Sequence, residues 1–343
     1  MRSALPLALP LALLLAACAT PDPTPTPSPL PTAAIPALGE TQAVATANAD
    51  AADDPAIWRD PINPAASLII GTDKKAGLYV YGLDGKVRDF NDAGRVNNVD
   101  VATFNGRIIV AASDRNANAN AHVALFILDP ATAKLTPLGR LPAGPGEAYG
   151  LCLYPTESAL YAFLVLKDGT IRQLALDLEK PAAQAVRTMK LATQSEGCVV
   201  DPRTNRLYVA EEDAGLWRFD ARASGSTTPT KIAAADGNQI VADAEGVAIA
   251  AEGQGGYLIV SSQGDSAYAV YRLVDDSYVG RFRIAPGAFG ATSETDGIEI
   301  ATGNFGPQFP AGIMIAQDGD NTPRAQNFKL VSWADIKAAL KLP

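Results

Sequence analysis

The stretch DAEGVAIA at 243–250 sets two carboxylates, Asp243 and Glu245, just before a glycine and an apolar run. TQSEGCVV (193–200) and SETDGIEI (293–300) repeat the arrangement with Glu196-Gly197 and Asp296-Gly297. Gly150, Gly197, Gly246 and Gly297 each open an apolar run, GLCLY, GCVV, GVAIA and GIEIA, at spacings of 47, 49 and 51 residues. Looser copies, DDPAIW (53–58) and NNVDVA (97–102), extend the series toward the N-terminus. Six units of this length predict an all-β chain folded as a six-bladed β-propeller, each blade a four-stranded sheet.

The remainder of each unit fits that reading. A second apolar run follows the first: SLIIGTD (67–73), RIIVAASD (107–114), LYAFLVLKD (160–168), RLYVAEED (206–213), GYLIVSSQG (256–264) and GIMIAQDG (312–319). A third comes after it, as in GLYVYGL or SAYAVYRL, with Gly, Asp and Asn between the runs, which is strand and turn chemistry. The best helix signal is WADIKAALK at 333–341. Consecutive strands of a blade are antiparallel, so the start of the first strand and the end of the second share one rim. First strands begin with Asp53-Asp54, Asn98, Glu147, Glu196, Asp243/Glu245 and Asp296. Second strands end in Lys74-Lys75, Arg115, Lys167-Asp168, Glu211-Glu212-Asp213, Gln263 and Gln317-Asp318. Acids and cations are therefore expected to crowd one mouth of the central channel.

The chain has 343 residues with 28 Lys+Arg against 37 Asp+Glu, a formal charge of −9. That balance argues against nucleic acid as a partner, and a bare polyanion would be repelled unless cations intervene. Arg2 and the run LPLALPLALLLAA read as a signal peptide over 1–17, ending in a lipobox-like Leu15-Ala16-Ala17-Cys18. The expectation is an exported bacterial protein, anchored by lipid on Cys18 to the outer membrane or cell surface, or released. Residues 18–46, rich in Pro and Thr, read as an extended linker, with the propeller over 47–343. Cys152 and Cys198 fall inside apolar strands and read as buried free thiols, not a disulfide framework. A single His, His122, weakens histidine-based metal clusters and nucleophilic triads.

Clustered carboxylates without His or Cys favour a hard cation with oxygen ligands, and calcium accepts such sets in flexible geometry. Any one of these acids is equally explained as a solvated turn residue; the repetition at equivalent places favours the metal. Lys74, Arg115 and Lys167 read either as exposed strand ends or as phosphate-gripping cations, and Tyr149 either as core or as part of the mouth. Asp53-Asp54 and Asn97-Asn98 either cap turns or hold a structural ion.

These residues resemble the β-propeller phytases, the alkaline, calcium-dependent phytases, from about Ala49 to Lys341. The resemblance is carried by DAADDPAIW (50–58), TDKKAGLYVYGLDGK (72–86), NNVDV (97–101), EAYGLCLY (147–154), QSEG (194–197), LYVAEEDAGLW (207–217), DAEGVAI (243–249), SSQGDSAYAVY (261–271), SETDGIEI (293–300) and AQDGDN (316–321). It implies a six-bladed propeller with several bound Ca2+ ions that acts as a monomer on phytate, myo-inositol hexakisphosphate, as its calcium complex. Lys74, Arg115, Tyr149 and Lys167 are implied to hold substrate phosphates. Glu196, Glu212, Glu245 and Asp296 are implied to carry calcium in the cleavage site, with Asp243 assisting and Glu212 counted also among the catalytic groups. Asp54, Asn98, Asp100, Gln317 and Asp318 are implied in the stabilising calcium sites. Three places depart from the family pattern: the loop APGAFGATSE before Asp296 lacks most of its acids, Asp114 stands where Asn is common, and only Glu40 is a candidate for an acidic ligand upstream of Asp53. The competing readings are a calcium-dependent propeller lactonase or esterase, and a non-catalytic ligand-binding propeller.

Overall fold

The six apolar runs of this series are the innermost strands of six sheets, and consecutive strands within each blade pair antiparallel. The structure is a computed structural model that describes residues 26–343. The expected signal peptide and Cys18 lie outside the described residues. Blade one is Ala52–Trp58, Leu68–Asp73, Gly77–Gly82 and Val87–Asn91; blade two runs from Val96–Phe104 to Lys134–Pro145. Blade three runs from Ala148–Pro155 to Ala182–Lys190, and blade four from Ser195–Asp201 to Thr230–Ala234. Blade five begins at Ala244–Glu252 and blade six at Ile298–Thr302. The first strands of successive blades touch one another around the channel, the sixth meeting the first. Apolar side chains from facing sheets fill the space between blades, as where Ile109, Val123 and Leu125 of blade two meet Leu151 and Leu164 of blade three. The expected C-terminal helix is Trp333–Leu340, opened by the Ser332 hydroxyl accepting from the Asp335 amide and seated by Trp333 and Ile336.

The glycines explain the ring. A β-carbon on Gly150 would lie 1.9 Å from the Glu196 carbonyl oxygen, and one on Gly197 would lie 2.4 Å from that of Glu245. The same holds for Gly246 against the Asp296 carbonyl at 2.6 Å and for Gly297 against the Asp53 carbonyl at 2.6 Å. Each blade's glycine therefore accepts the backbone of the next blade's acid. Two of these approaches are hydrogen bonds, Gly246 N to Asp296 O at 2.6 Å and Gly297 N to Asp53 O at 3.0 Å. In the first five blades a β-bulge interrupts pairing at the motif, between Ala52 and Pro55, Val96 and Val99, Ala148 and Gly150, Ser195 and Cys198, and Ala244 and Val247. A bulge re-aims the side chains it contains. Here they are Asp53, Asp54, Asn97, Asn98, Tyr149, Glu196 and Glu245.

Two expectations are corrected. The linker expected to extend to residue 46 contributes two strands. Thr32–Pro36 adds a fifth, parallel strand to blade five beside Tyr278–Ala285, burying Ile35, and Gly39–Glu40 pairs antiparallel with Asn327–Ser332 to complete blade six. Proline is tolerated on such edge strands, so Pro-richness did not exclude pairing. Glu40 fixes this closure. Burial works to raise its pKa, but hydrogen bonds from Lys329, Arg324 and Asn327 prevail and hold it at about 2. Second, Cys152 and Cys198 are not free thiols but a disulfide, their Cα atoms 5.7 Å apart across the innermost strands of blades three and four. A separation of 46 residues is about one blade repeat, so the ring lays the two positions side by side. Replacing both by serine removes a cross-link of that span and should lower the unfolding free energy by about 2–4 kcal/mol. Denaturant titration checks this, and an unchanged midpoint would contradict it.

Candidate active site

The bulged strand starts that carry Glu196 and Glu245, and the end of blade four's second strand beside Glu212, bring these three together at the mouth of the channel. One carboxylate oxygen from each lies within 4.8 Å of the others, and all three residues are buried. Glu212 Oε1, Glu245 Oε2 and Asp53 Oδ2 are buried without any hydrogen-bond partner. Beside this trio the Lys74 ammonium touches Asp50 (2.8 Å), Asp53 (3.0 Å) and Asp296 (2.9 Å). Asp296 also accepts from Gln263 Nε2 at 2.7 Å.

The other cations surround Tyr149. The Arg115 guanidinium carbon is 5.4 Å and the Lys167 ammonium 5.2 Å from the centre of its ring, both within cation–π range. Arg115 donates to Asn97 Oδ1 at 2.5 Å and to Glu147 Oε1 at 2.6 Å, while its buried Nε has no partner. Gln194 donates to the Tyr149 hydroxyl at 3.4 Å.

Burial pushes the carboxyls of Glu196, Glu245 and Asp296 well above the usual range, and their acidic neighbours push them further. Glu212 is raised to about 7, chiefly by burial, although a hydrogen bond from Gln194 works the other way. For Lys74, burial disfavours the charge, but Asp53, Asp296 and Asp50 outweigh it and raise its pKa, so it stays an ammonium. Burial, then Glu196 and Glu245, raises Tyr149, which stays a neutral phenol. Unpartnered carboxylate oxygens in a shared buried space are the donor set a hard divalent cation takes, and such an ion would reverse these shifts. The residues present therefore fit calcium.

The structure separates the remaining expected residues. Asp243, half-buried and raised by burial and by Asp213, lines a groove of about 970 Å³ that leads away from Asp296 between blades five and six. Asn98 lies between the mouth and a deeper cavity: with its amide turned so that the nitrogen faces the mouth, it donates to Glu196 Oε1 at 2.9 Å and to the Tyr149 carbonyl at 3.0 Å. Asp54 and Asp100 line a deeper channel cavity of about 320 Å³, where Glu299, not singled out from sequence, joins them. Burial raises all three, Asp100 to about 6. Gln317 uses both ends of its amide on backbone, accepting from the Asp296 N–H and donating to the Ala52 carbonyl. Asp318 faces the fully buried ammonium of Lys329 at 3.0 Å, which Glu40 shares at 2.8 Å. Asp53 has a larger place at the mouth than the sequence gave reason to assign. Alternation along a strand turns Asp53 and Asp54 to opposite sides, a signal that the pair Asp-Asp alone leaves open.

The sequence profile of the family described as Phytase matches residues 4–342. A 3-phytase of Bacillus subtilis (strain 168) is 38% identical over 317 residues, covering 87% of this chain and 83% of that protein. A chain in the crystal structure of a mitotic checkpoint complex is 14% identical and superposes with a TM-score of 0.51 over 95% of this chain and 86% of that chain, a likeness of fold alone.

The cluster's mutual repulsion is a cost that an ion would relieve. In the cation-free protein, folded carboxyls with raised pKa bind more protons than unfolded ones. Stability should then fall as pH rises from the unfolded value near 4.5 through about 7, where Glu212 titrates. Glu245→Gln should raise the melting temperature in chelator at pH 8 and abolish most of the rise that millimolar calcium gives the parent protein. A lower melting temperature in chelator with the calcium response intact would contradict this.

Proposed function

The chain belongs to the phytase family, and we propose that its acid-lined mouth hydrolyses phytate in a calcium-dependent reaction, releasing phosphate and lower inositol phosphates. The observation that carries the reading is the buried trio Glu196, Glu212 and Glu245, with unpartnered oxygens, ringed by Lys74, Arg115 and Lys167. Those three acids with Asp296 and Asp53 would hold the calcium, and Asp243 would stand beside them. When bound, calcium supplies positive charge that draws in phosphate oxygens and acidifies a water for attack on phosphorus.

The chain's own groups do the rest. Arg115 offers a planar fork to two oxygens of one phosphate. Lys74 and Lys167 place point charges against phosphate oxygens and offset the charge that grows on them in the transition state. Tyr149, kept as a phenol, donates a hydrogen bond and keeps both neighbouring cations against its ring. No side chain needs to form a covalent phosphoryl intermediate. The sequence has neither RHGxRxP nor HCxxGxxR, the signatures of histidine and cysteine phosphatases, so direct attack by water is the consistent route. The basic rim favours this reading over a propeller lactonase or esterase, whose neutral substrates need no such cations.

We further propose that the protein is exported, held by lipid on Cys18 or released, and acts as a monomer on the calcium complex of phytate. The apolar run before Cys18 supports export, as does the disulfide, because such bonds persist in oxidising compartments. Phytate hydrolysis should cease in EGTA and return with excess calcium. Asp296→Asn should lower turnover at least 100-fold with the melting temperature retained, since it removes a charge from the ion's shell. Undiminished phosphate release in chelator, or turnover surviving in Asp296→Asn, would refute the reading.

A further inference from the structure

Between the groups that would grip phosphate and those that would hold the cation lies a side chain assigned to neither. Asn97 is 1% exposed. Its Oδ1 accepts from Arg115 Nη1 at 2.5 Å, and its Nδ2 donates to Glu196 Oε1 at 2.7 Å. One rigid amide plane therefore joins the guanidinium of blade two to the carboxylate of blade four. We propose that Asn97 is a positioning residue that couples Arg115 to Glu196, so that phosphate grip and cation binding are set by one contact. The proposal rests on the reading of Arg115 and Glu196 given above.

The chemistry of the position is narrow. It needs an acceptor facing a cation and a donor facing an anion, two to three bonds from the same backbone atom. A primary amide supplies both on two separate atoms of one rigid plane without adding charge. An aspartate would accept from Arg115 but have nothing to donate to Glu196, and would add a further acid to a cluster already strained by repulsion. An apolar residue would abandon both partners in a buried place. The bulge between Val96 and Val99 turns Asn97 to the mouth. Glu147 completes the arrangement by taking Arg115 Nη2 at 2.6 Å, which fixes the guanidinium plane from a second side. Each terminal nitrogen is engaged once, and the buried Nε has no partner. On Glu196, Asn97 donates to Oε1, as Asn98 does once its amide is turned nitrogen-inward, and neither engages Oε2.

The test is a cycle of Asn97→Leu, Arg115→Ala and the double variant, with Glu196→Gln as control. It reads kcat/KM for phytate, the calcium dissociation constant by calorimetry without substrate, and the melting temperature. Losing a buried hydrogen bond to a charged group should cost Asn97→Leu about 10- to 100-fold in kcat/KM. Its calcium affinity should fall several-fold. At saturating calcium, where the Glu196 arm no longer limits the rate, the double variant should be no worse in kcat/KM than Arg115→Ala alone, because Asn97 acts there through Arg115. If Asn97→Leu does not fold, Asn97→Ser is read in the same cycle. A change under twofold in both kcat/KM and calcium affinity would overturn the proposal, and so would losses that multiply in the double variant. If Arg115→Ala and Glu196→Gln themselves retain full activity, the phytase-site reading fails first and takes this one with it; their failure with Asn97 silent sinks this one alone.

Discussion

Carboxylates confined in a buried space repel one another, and the fold of this chain keeps them confined. Glu196, Glu245 and Asp296 cannot relax apart, because the carbonyl of each is packed against a glycine of the preceding blade at a distance no β-carbon allows. The acid and the glycine that recur at the head of successive strands are two halves of one device. The glycine admits the neighbouring backbone, and the bulge turns the acid to the mouth. Raised carboxyl pKa values are the visible cost of the arrangement. A divalent cation held there would both relieve that cost and convert an anionic mouth into a receptor for a polyanion.

The rest of the molecule supplies rigidity to offset this repulsion. N-terminal strands complete blade six and extend blade five, so the first and last strands of the described residues lie in adjoining sheets. The Lys329 ammonium, enclosed by Glu40, Asp318, Asn321 and Asn327, locks that junction with a cation built into the chain. The Cys152–Cys198 bond clamps the two innermost strands that carry Tyr149 and Glu196. Both stabilising devices sit within a few residues of the mouth, where looseness would most disturb the site.

Much of this was legible in the sequence. The 47- to 51-residue spacing of Gly150, Gly197, Gly246 and Gly297 shows the blades, and antiparallel pairing within a blade places strand starts and ends at one rim. Lys74, Arg115, Tyr149 and Lys167 lie there with Glu196, Glu212, Glu245 and Asp296, while Asp243 and Asp318 lie apart. What the sequence left open depended on contacts across blades. Asp53 and Asp54 look alike in DDPAIW but face different cavities, one with Lys74 and one with Val99 N–H. Asn97 has no motif of its own and acquires a place only when blades two and four are brought together. The disulfide was hidden because two cysteines in apolar strands look like core until the ring aligns them. Strands in a Pro-rich segment were missed because edge pairing needs few donors, which composition does not reveal.

The central claim is that metal gathered by these acids lets a negatively charged protein hold a hexaphosphate. Crystals grown with calcium and a non-hydrolysable inositol hexasulfate, with diffraction recorded where calcium scatters anomalously, test it most directly. Anomalous peaks should appear among Glu196, Glu212, Glu245 and Asp296, with a sulfate group between them and Lys74, Arg115 and Lys167. A mouth without such a peak, or a ligand bound away from it, would contradict the account.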